Sequence, residues 1–129
     1  MTIELYVLSA TALLLLVLAF LSASLYGKQV GQPAMMSNRE NIPAPTGAAR
    51  RASRAHLNLL ENAVPFAIVV LTAQALHIST PTTQMAAIVF LVARLLHAIV
   101  YIAGIQVVRT ITWFAGVGAT IAIAVAILA

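Results

Sequence analysis

Four predominantly apolar stretches divide the chain, and polar segments separate them. Each stretch is about 20 residues long, which is the length an α-helix needs to cross the hydrocarbon core of a bilayer. The pattern predicts membrane helices at residues 3–26, 54–76, 83–105 and 108–129. The connection at 27–47 is rich in Pro and Gly and predicts a loop, whereas the other two connections are short, as between antiparallel neighbours. We therefore expect one all-α domain, residues 1–129, built as a four-helix membrane bundle.

The composition supports a membrane protein and restricts its chemistry. Of the 129 residues, 62% are hydrophobic and only 8% are charged, against about 25% charged in soluble domains. The basic residues flank membrane-length segments and form no soluble patch, so we expect no nucleic-acid partner. The chain has no cysteine, which excludes disulfides, thiolate-bound metals and a protein thiol nucleophile. Any sulfur chemistry here uses an imported thiol.

The few charges also predict how the chain crosses the membrane. The first apolar stretch begins with Glu4, has no Lys or Arg before it and lacks a cleavage motif, so it is interpreted as a retained helix. Five basic residues lie in or beside the first loop: Lys28, Arg39, Arg50, Arg51 and Arg54. Arg109 lies beside the third loop. The positive-inside rule then places the first and third loops in the cytoplasm and both termini outside.

The second predicted helix has one polar face, which begins at RRASRAHLNLLEN. With 100° of rotation per residue, a stripe about 80° wide contains Arg51, Arg54, Asn58, Glu61 and Pro65. Anchoring at anionic headgroups accounts for arginines at a helix end. It does not account for Glu61, which lies about 10 Å deeper than Arg54. A carboxylate at that depth needs a partner or water.

The third predicted helix supplies a second polar face at a similar depth. Arg94, His97 and Tyr101 follow the spacing i, i+3, i+7. One interpretation is an interhelical Glu61–Arg94 ion pair that fixes helix register; another is a hydrated cationic cavity open to the cytoplasm, and the two can coexist. With Arg109 nearby, the arginines outnumber the single glutamate. The expected ligand is therefore an anion, because arginine binds carboxylates through paired hydrogen bonds.

The segments RASRAHLNLLENAVPFA and ARLLHAIVYIAGIQVVRTITW resemble the MAPEG family, the membrane-associated proteins in eicosanoid and glutathione metabolism. The resemblance extends over nearly the whole chain, which looks like one of the uncharacterised bacterial members. It implies a homotrimer in the bacterial inner membrane, with the cosubstrate glutathione bound between subunits near the cytoplasmic side. It further implies contact with membrane lipids and a lipophilic small-molecule acceptor.

The resemblance also assigns roles to individual residues. Arg54, Asn58 and Glu61 match positions that hold glutathione, and Arg51 and His56 match less universal ones. Arg94 and Tyr101 match positions that face the thiol tripeptide, and His97 is shared with some branches. Arg109 matches the arginine that stabilises the glutathione thiolate, and is the expected catalytic residue.

Three residues differ from those found in better-known branches of the family, and the differences bear on the acceptor substrate. Asn62 stands where some members have tyrosine, Thr110 where prostaglandin synthases have serine, and Trp113 where a tyrosine occurs. These differences leave the acceptor open, including any eicosanoid specificity.

Three functions are compatible with the sequence. The first is a glutathione-dependent transferase or peroxidase acting on lipophilic electrophiles or hydroperoxides. The second is a non-catalytic membrane scaffold or anionic-lipid-binding protein of the same fold. The third is a small proton-coupled exporter, against which the arginines count, because they keep Glu61 ionised and repel cationic drugs. No histidines have metal-ligand spacing with a carboxylate, so we expect no metal site.

Overall fold

The computed structural model describes residues 1–129, and all of its regular secondary structure is helical. It contains α1 (Ile3–Val30), α2 (Gln32–Met35), α3 (Gly47–Ala75), α4 (Pro81–Ala103) and α5 (Gln106–Leu128). All but the short α2 are long and apolar enough to cross a membrane. The all-α fold and the four membrane-length helices are thus confirmed, and by these helices the chain is an integral membrane protein.

Helix boundaries at the first loop differ from those that the apolar pattern predicts. α1 continues to Val30 rather than residue 26, and α2 forms within the segment predicted as loop. α3 begins at Gly47, well before residue 54. The apolar pattern marks only the part of a helix that suits hydrocarbon, whereas the polar stretch GAARRAS consists largely of good helix formers. Thr46 is extended and Gly47 has a left-handed φ of 51°, so regular helical backbone does not continue toward Pro45.

The first loop is fastened to the end of α1 by side-chain hydrogen bonds. The amide of Gln29 donates to the Thr46 carbonyl oxygen at 2.9 Å and accepts from the Thr46 N–H at 3.2 Å. The hydroxyl of Tyr26 donates to the Pro43 carbonyl oxygen at 2.6 Å. These bonds hold the start of α3 beside the end of α1.

The core lies where the four long helices meet. Phe66 of α3 and Phe90 of α4 are fully buried and stack in parallel, with ring centroids 3.7 Å apart. Val7 of α1 and Ile123 of α5 belong to the same apolar cluster. Many of the other buried positions are alanines, and such small side chains allow membrane helices to approach closely.

A buried carboxylate ties α1 to α4 at the end of the bundle where both helices begin. Glu4 is 2% exposed and accepts hydrogen bonds from the Thr83 hydroxyl at 2.6 Å and from the Ser79 hydroxyl. Thr83 also forms a capping box with Thr80 at the start of α4. A negative charge is favourable at a helix N-terminus. Glu4 is therefore a structural tie.

The end of α3 allows a stability prediction at His77. The N–H of Ile78 bonds to the Ala73 carbonyl oxygen and that of His77 to the Gln74 carbonyl oxygen, with His77 at φ 58°. This is a Schellman motif, in which the left-handed residue is usually glycine. His77→Gly should stabilise the protein by about 1 kcal/mol, because a side chain in the left-handed region costs about that much. Thermal unfolding in detergent, followed by circular dichroism, would measure the change.

A matched control lies three residues earlier, in the last turn of α3. Gln74 has helical backbone there, so Gln74→Gly should destabilise the protein by roughly 1 kcal/mol. An unchanged or lower melting temperature for His77→Gly would contradict the prediction.

Candidate functional site

The turn between α4 and α5 brings two predicted site residues together. Gly104 adopts the left-handed conformation, and the N–H of Ile105 bonds to the Val100 carbonyl oxygen at 2.9 Å. The chain therefore reverses tightly. As a result, the Arg109 guanidinium carbon lies 4.8 Å from the centre of the Tyr101 ring. A cation over an aromatic face is held by the ring quadrupole.

His97 fixes the backbone of Arg109 across the same two helices. Its Nδ1 lies 3.0 Å from the Arg109 carbonyl oxygen, and since a carbonyl only accepts, Nδ1 carries the proton. The hydroxyl of Thr112 donates to the same carbonyl at 2.9 Å and lies 3.3 Å from Nδ1. His97 is 4% exposed and packs edge-on against Tyr101. Arg109 is thus held through its main chain, and its guanidinium stays available.

These residues border a cavity of about 270 Å³ between α3, α4 and the start of α5. The lining residues are Asn58, His97, Tyr101, Arg109, Thr110 and Trp113. Arg109 is the only arginine among them, and none is a carboxylate. The cavity therefore suits an anion, and Asn58 and Tyr101 add neutral hydrogen-bonding groups.

Asn58 is itself held by a neighbour on α3. The Asn62 side-chain amide donates to the Asn58 carbonyl oxygen at 2.7 Å and lies 3.5 Å from its side-chain oxygen. Tyrosine has no side-chain amide, so a tyrosine at position 62 would not make this hydrogen bond. Asn62, which stands where some family members have tyrosine, is therefore bonded to a residue that lines the cavity.

Arg94 lies behind the cavity wall and does not line it. Its side chain is 1% exposed, and Nη2 donates to the Trp113 carbonyl oxygen at 3.2 Å. Its guanidinium carbon is 5.3 Å from the Phe90 ring centre, while Nε and Nη1 have no partner. The Glu61–Arg94 ion pair considered from the sequence is therefore not formed within the chain.

The remaining predicted ligands on α3 lie outside the cavity. Arg54 and Glu61 are exposed. Arg51 is partly buried, and its Nε donates to the Ile102 carbonyl oxygen at 2.7 Å. The single chain thus assembles Asn58, His97, Tyr101 and Arg109 around one space, and leaves the others on its surface or in its interior.

Thr112 is the one residue of the site that sequence reasoning missed. It is buried, and its hydroxyl donates to both the Val108 and Arg109 carbonyl oxygens. The available signal was its spacing of three residues after Arg109, which places it one turn along the same helix. Threonine hydroxyls commonly bond to a carbonyl one turn back, so that spacing did not distinguish it. No group of His, Asp and Glu side chains forms a metal site.

The comparison with known protein families covers nearly all of the fold described above. The model of the MAPEG family matches residues 5–129, essentially the whole chain and every residue around the cavity. No curated protein matches the sequence.

Proposed function

The chain belongs to the MAPEG family, and from this membership and the cavity we propose that it is a membrane-embedded glutathione-dependent transferase or peroxidase. The observation that carries the proposal is the Arg109 guanidinium, held over Tyr101 beside a cavity with no carboxylate. Bound glutathione supplies the sulfur nucleophile that this cysteine-free chain lacks.

Arg109 acts on the charge of that sulfur. A free thiol has a pKa of about 8.5, and a neighbouring cation favours the thiolate, which is the reactive form. His97 and Thr112 hold the Arg109 main chain, so little reorganisation is needed when negative charge develops. Preorganised charge of this kind is often the largest contribution to catalysis.

The proposal includes a homotrimer whose subunits share the tripeptide. A cavity of about 270 Å³ is small beside typical ligand sites of about 300–1,000 Å³, so a neighbouring chain would complete it. Arg54 and Glu61 are exposed on the helix that carries Asn58. In the trimer, Arg54 binds a glutathione carboxylate and Glu61 receives its ammonium group. Arg51 and Arg94 stand next to the site as supporting cations.

The acceptor enters from the lipid. The cavity wall includes Thr110 and Trp113, and the surrounding helices expose many large apolar side chains. A lipophilic electrophile or hydroperoxide dissolved in the bilayer would reach the sulfur there. We further propose that the membrane is a bacterial inner membrane, with both termini outside and the cavity toward the cytoplasm, as the basic residues favour.

Calorimetry of glutathione binding to the detergent-purified protein tests the proposal. We expect saturable binding by the wild type, at least tenfold weaker binding by Arg54→Ala, and unchanged binding by Arg50→Ala, a nearby exposed arginine on the same helix. The tenfold loss corresponds to about 1.4 kcal/mol for a charge-assisted pair.

Absence of binding at millimolar glutathione would overturn the proposal. Titration with anionic-lipid vesicles would then test the scaffold or lipid-binding alternative, for which exposed arginines are also suited. Equal weakening in Arg54→Ala and Arg50→Ala would show a general effect of charge and not a specific contact.

A further inference from the structure

We propose that Arg51 is a positioning residue, which holds the α4–α5 turn through the Ile102 carbonyl and thereby sets Arg109 against Tyr101. Its Nε donates to that carbonyl oxygen at 2.7 Å, linking α3 to the end of α4. The effect on catalysis rests on the proposed function, whereas the link to the turn does not.

The end of α4 explains why this carbonyl needs a partner. The last four carbonyls of a helix have no intrahelical donor. In the Schellman turn, the N–H of Ile105 takes the Val100 carbonyl and the N–H of Gly104 takes that of Tyr101. The next carbonyl, Ile102, is left without a backbone donor, and Arg51 supplies one. The positive charge is also favourable at a helix C-terminus.

The Arg51 side chain also packs against the turn itself. A Cβ placed on Gly104 would lie 3.8 Å from Arg51 Nε and 3.9 Å from its Cδ. The stem of Arg51 therefore runs beside the left-handed glycine where the chain reverses. This contact and the Ile102 bond together fix the turn from the α3 side.

The turn is consequently held from two directions. On one side Arg51 binds the end of α4; on the other His97 binds the Arg109 carbonyl at the start of α5. Tyr101 directly precedes the first attachment point, Ile102, and Arg109 carries the second. Without Arg51, the segment from Ile102 to Gln106 is free to shift relative to α3, and a displacement of about 1 Å at a reacting group can reduce rate about 100-fold.

Arg50 provides a matched control because it is the adjacent arginine, with an exposed side chain. We would compare Arg51→Met, Arg51→Lys and Arg50→Met, using a hydrophobic electrophile with glutathione. Arg51→Met should reduce kcat about 10- to 100-fold and change KM for glutathione less than threefold. Arg51→Lys retains a donor and a charge, so it should recover most of kcat. Arg50→Met should match the wild type.

A second readout needs no ligand. Trp113 is the single tryptophan and lines the cavity beside Arg109, so its fluorescence reports local packing. In the apo protein, acrylamide should quench Trp113 more strongly in Arg51→Met than in Arg50→Met or Arg51→Lys.

Two results would overturn the positioning role. One is Arg51→Met behaving as Arg50→Met in both quenching and kcat. The other is a rise of tenfold or more in KM at unchanged kcat, which indicates a direct ligand contact. If the wild type does not bind glutathione, the proposed function fails, and quenching alone still decides whether Arg51 holds the turn.

Discussion

Arg109→Ala is expected to remove the thiolate absorbance of bound glutathione and to lower turnover about 100- to 1,000-fold. The guanidinium of Arg109 lies over Tyr101 and is the only arginine bordering the cavity. Without it, the pKa of the bound thiol returns toward about 8.5. At pH 7 the sulfur is then mostly protonated and unreactive. Ultraviolet difference spectra and steady-state kinetics on the same samples would measure both effects.

Control variants separate charge from the shape of the cavity. Arg109→Lys keeps a cation but loses the planar guanidinium, so it should retain part of the thiolate signal. Raising the pH above the free thiol pKa should restore much of the activity of Arg109→Ala, since the solution then supplies the thiolate. A full thiolate signal in Arg109→Ala at neutral pH would contradict the assigned role.

Gly116→Ala is expected to destabilise the protein, because the space that a methyl group would fill is taken by Arg94. A Cβ on Gly116 would lie 2.6 Å from both Cζ and Nε of Arg94. The buried guanidinium would have to move and lose its bond to the Trp113 carbonyl oxygen. Overpacking costs about 1–3 kcal/mol and a hydrogen bond to a charged group about 1.5–3 kcal/mol. The higher helix propensity of alanine relative to glycine offsets about 1 kcal/mol of this cost.

The net expectation is a loss of about 2 kcal/mol or more in the free energy of unfolding. Gly118→Ala is the control, since nothing lies within 4 Å of its added Cβ, and it should be neutral or stabilising. The double variant Gly116→Ala/Arg94→Leu should recover part of the loss. Thermal unfolding in detergent measures all three, and equal melting temperatures for the two glycine variants would refute the packing explanation.

The sequence predicted the membrane architecture because that depends on a property of each stretch alone. Twenty apolar residues without charge must satisfy their backbone internally in lipid, and only a helix does so within one segment. The start of α3 was harder to place, because Gly47 to Arg54 lies outside the apolar run. There, helix propensity and the left-handed backbone of Gly47 determine the boundary, and neither is visible in hydropathy.

The candidate site was predicted by residue type and helical face, but not by contact. The spacing of His97 and Tyr101 placed them together on one face, and both line the cavity. No spacing rule indicates that His97 bonds to the Arg109 carbonyl, or that Arg51 bonds to the Ile102 carbonyl. Main-chain carbonyls are the same in every residue, so side-chain bonds to them leave no trace in the sequence pattern.

Arg94 and Glu61 also show that residues at a similar depth in the membrane need not be in contact. Their similar depth on antiparallel helices made an ion pair plausible, yet Arg94 points toward Trp113 and Gly116 while Glu61 is exposed. Facing direction depends on how α3, α4 and α5 pack, which is a property of the whole bundle. The roles of Arg54 and Glu61 stay predictions for the assembled protein.

The Glu4 tie has a mechanical consequence for the alignment of two helices. Its hydroxyl partners fasten α1 to the beginning of α4, at the opposite end of α4 from Tyr101. The tie therefore fixes how far α1 can slide along α4 without using any residue of the cavity wall.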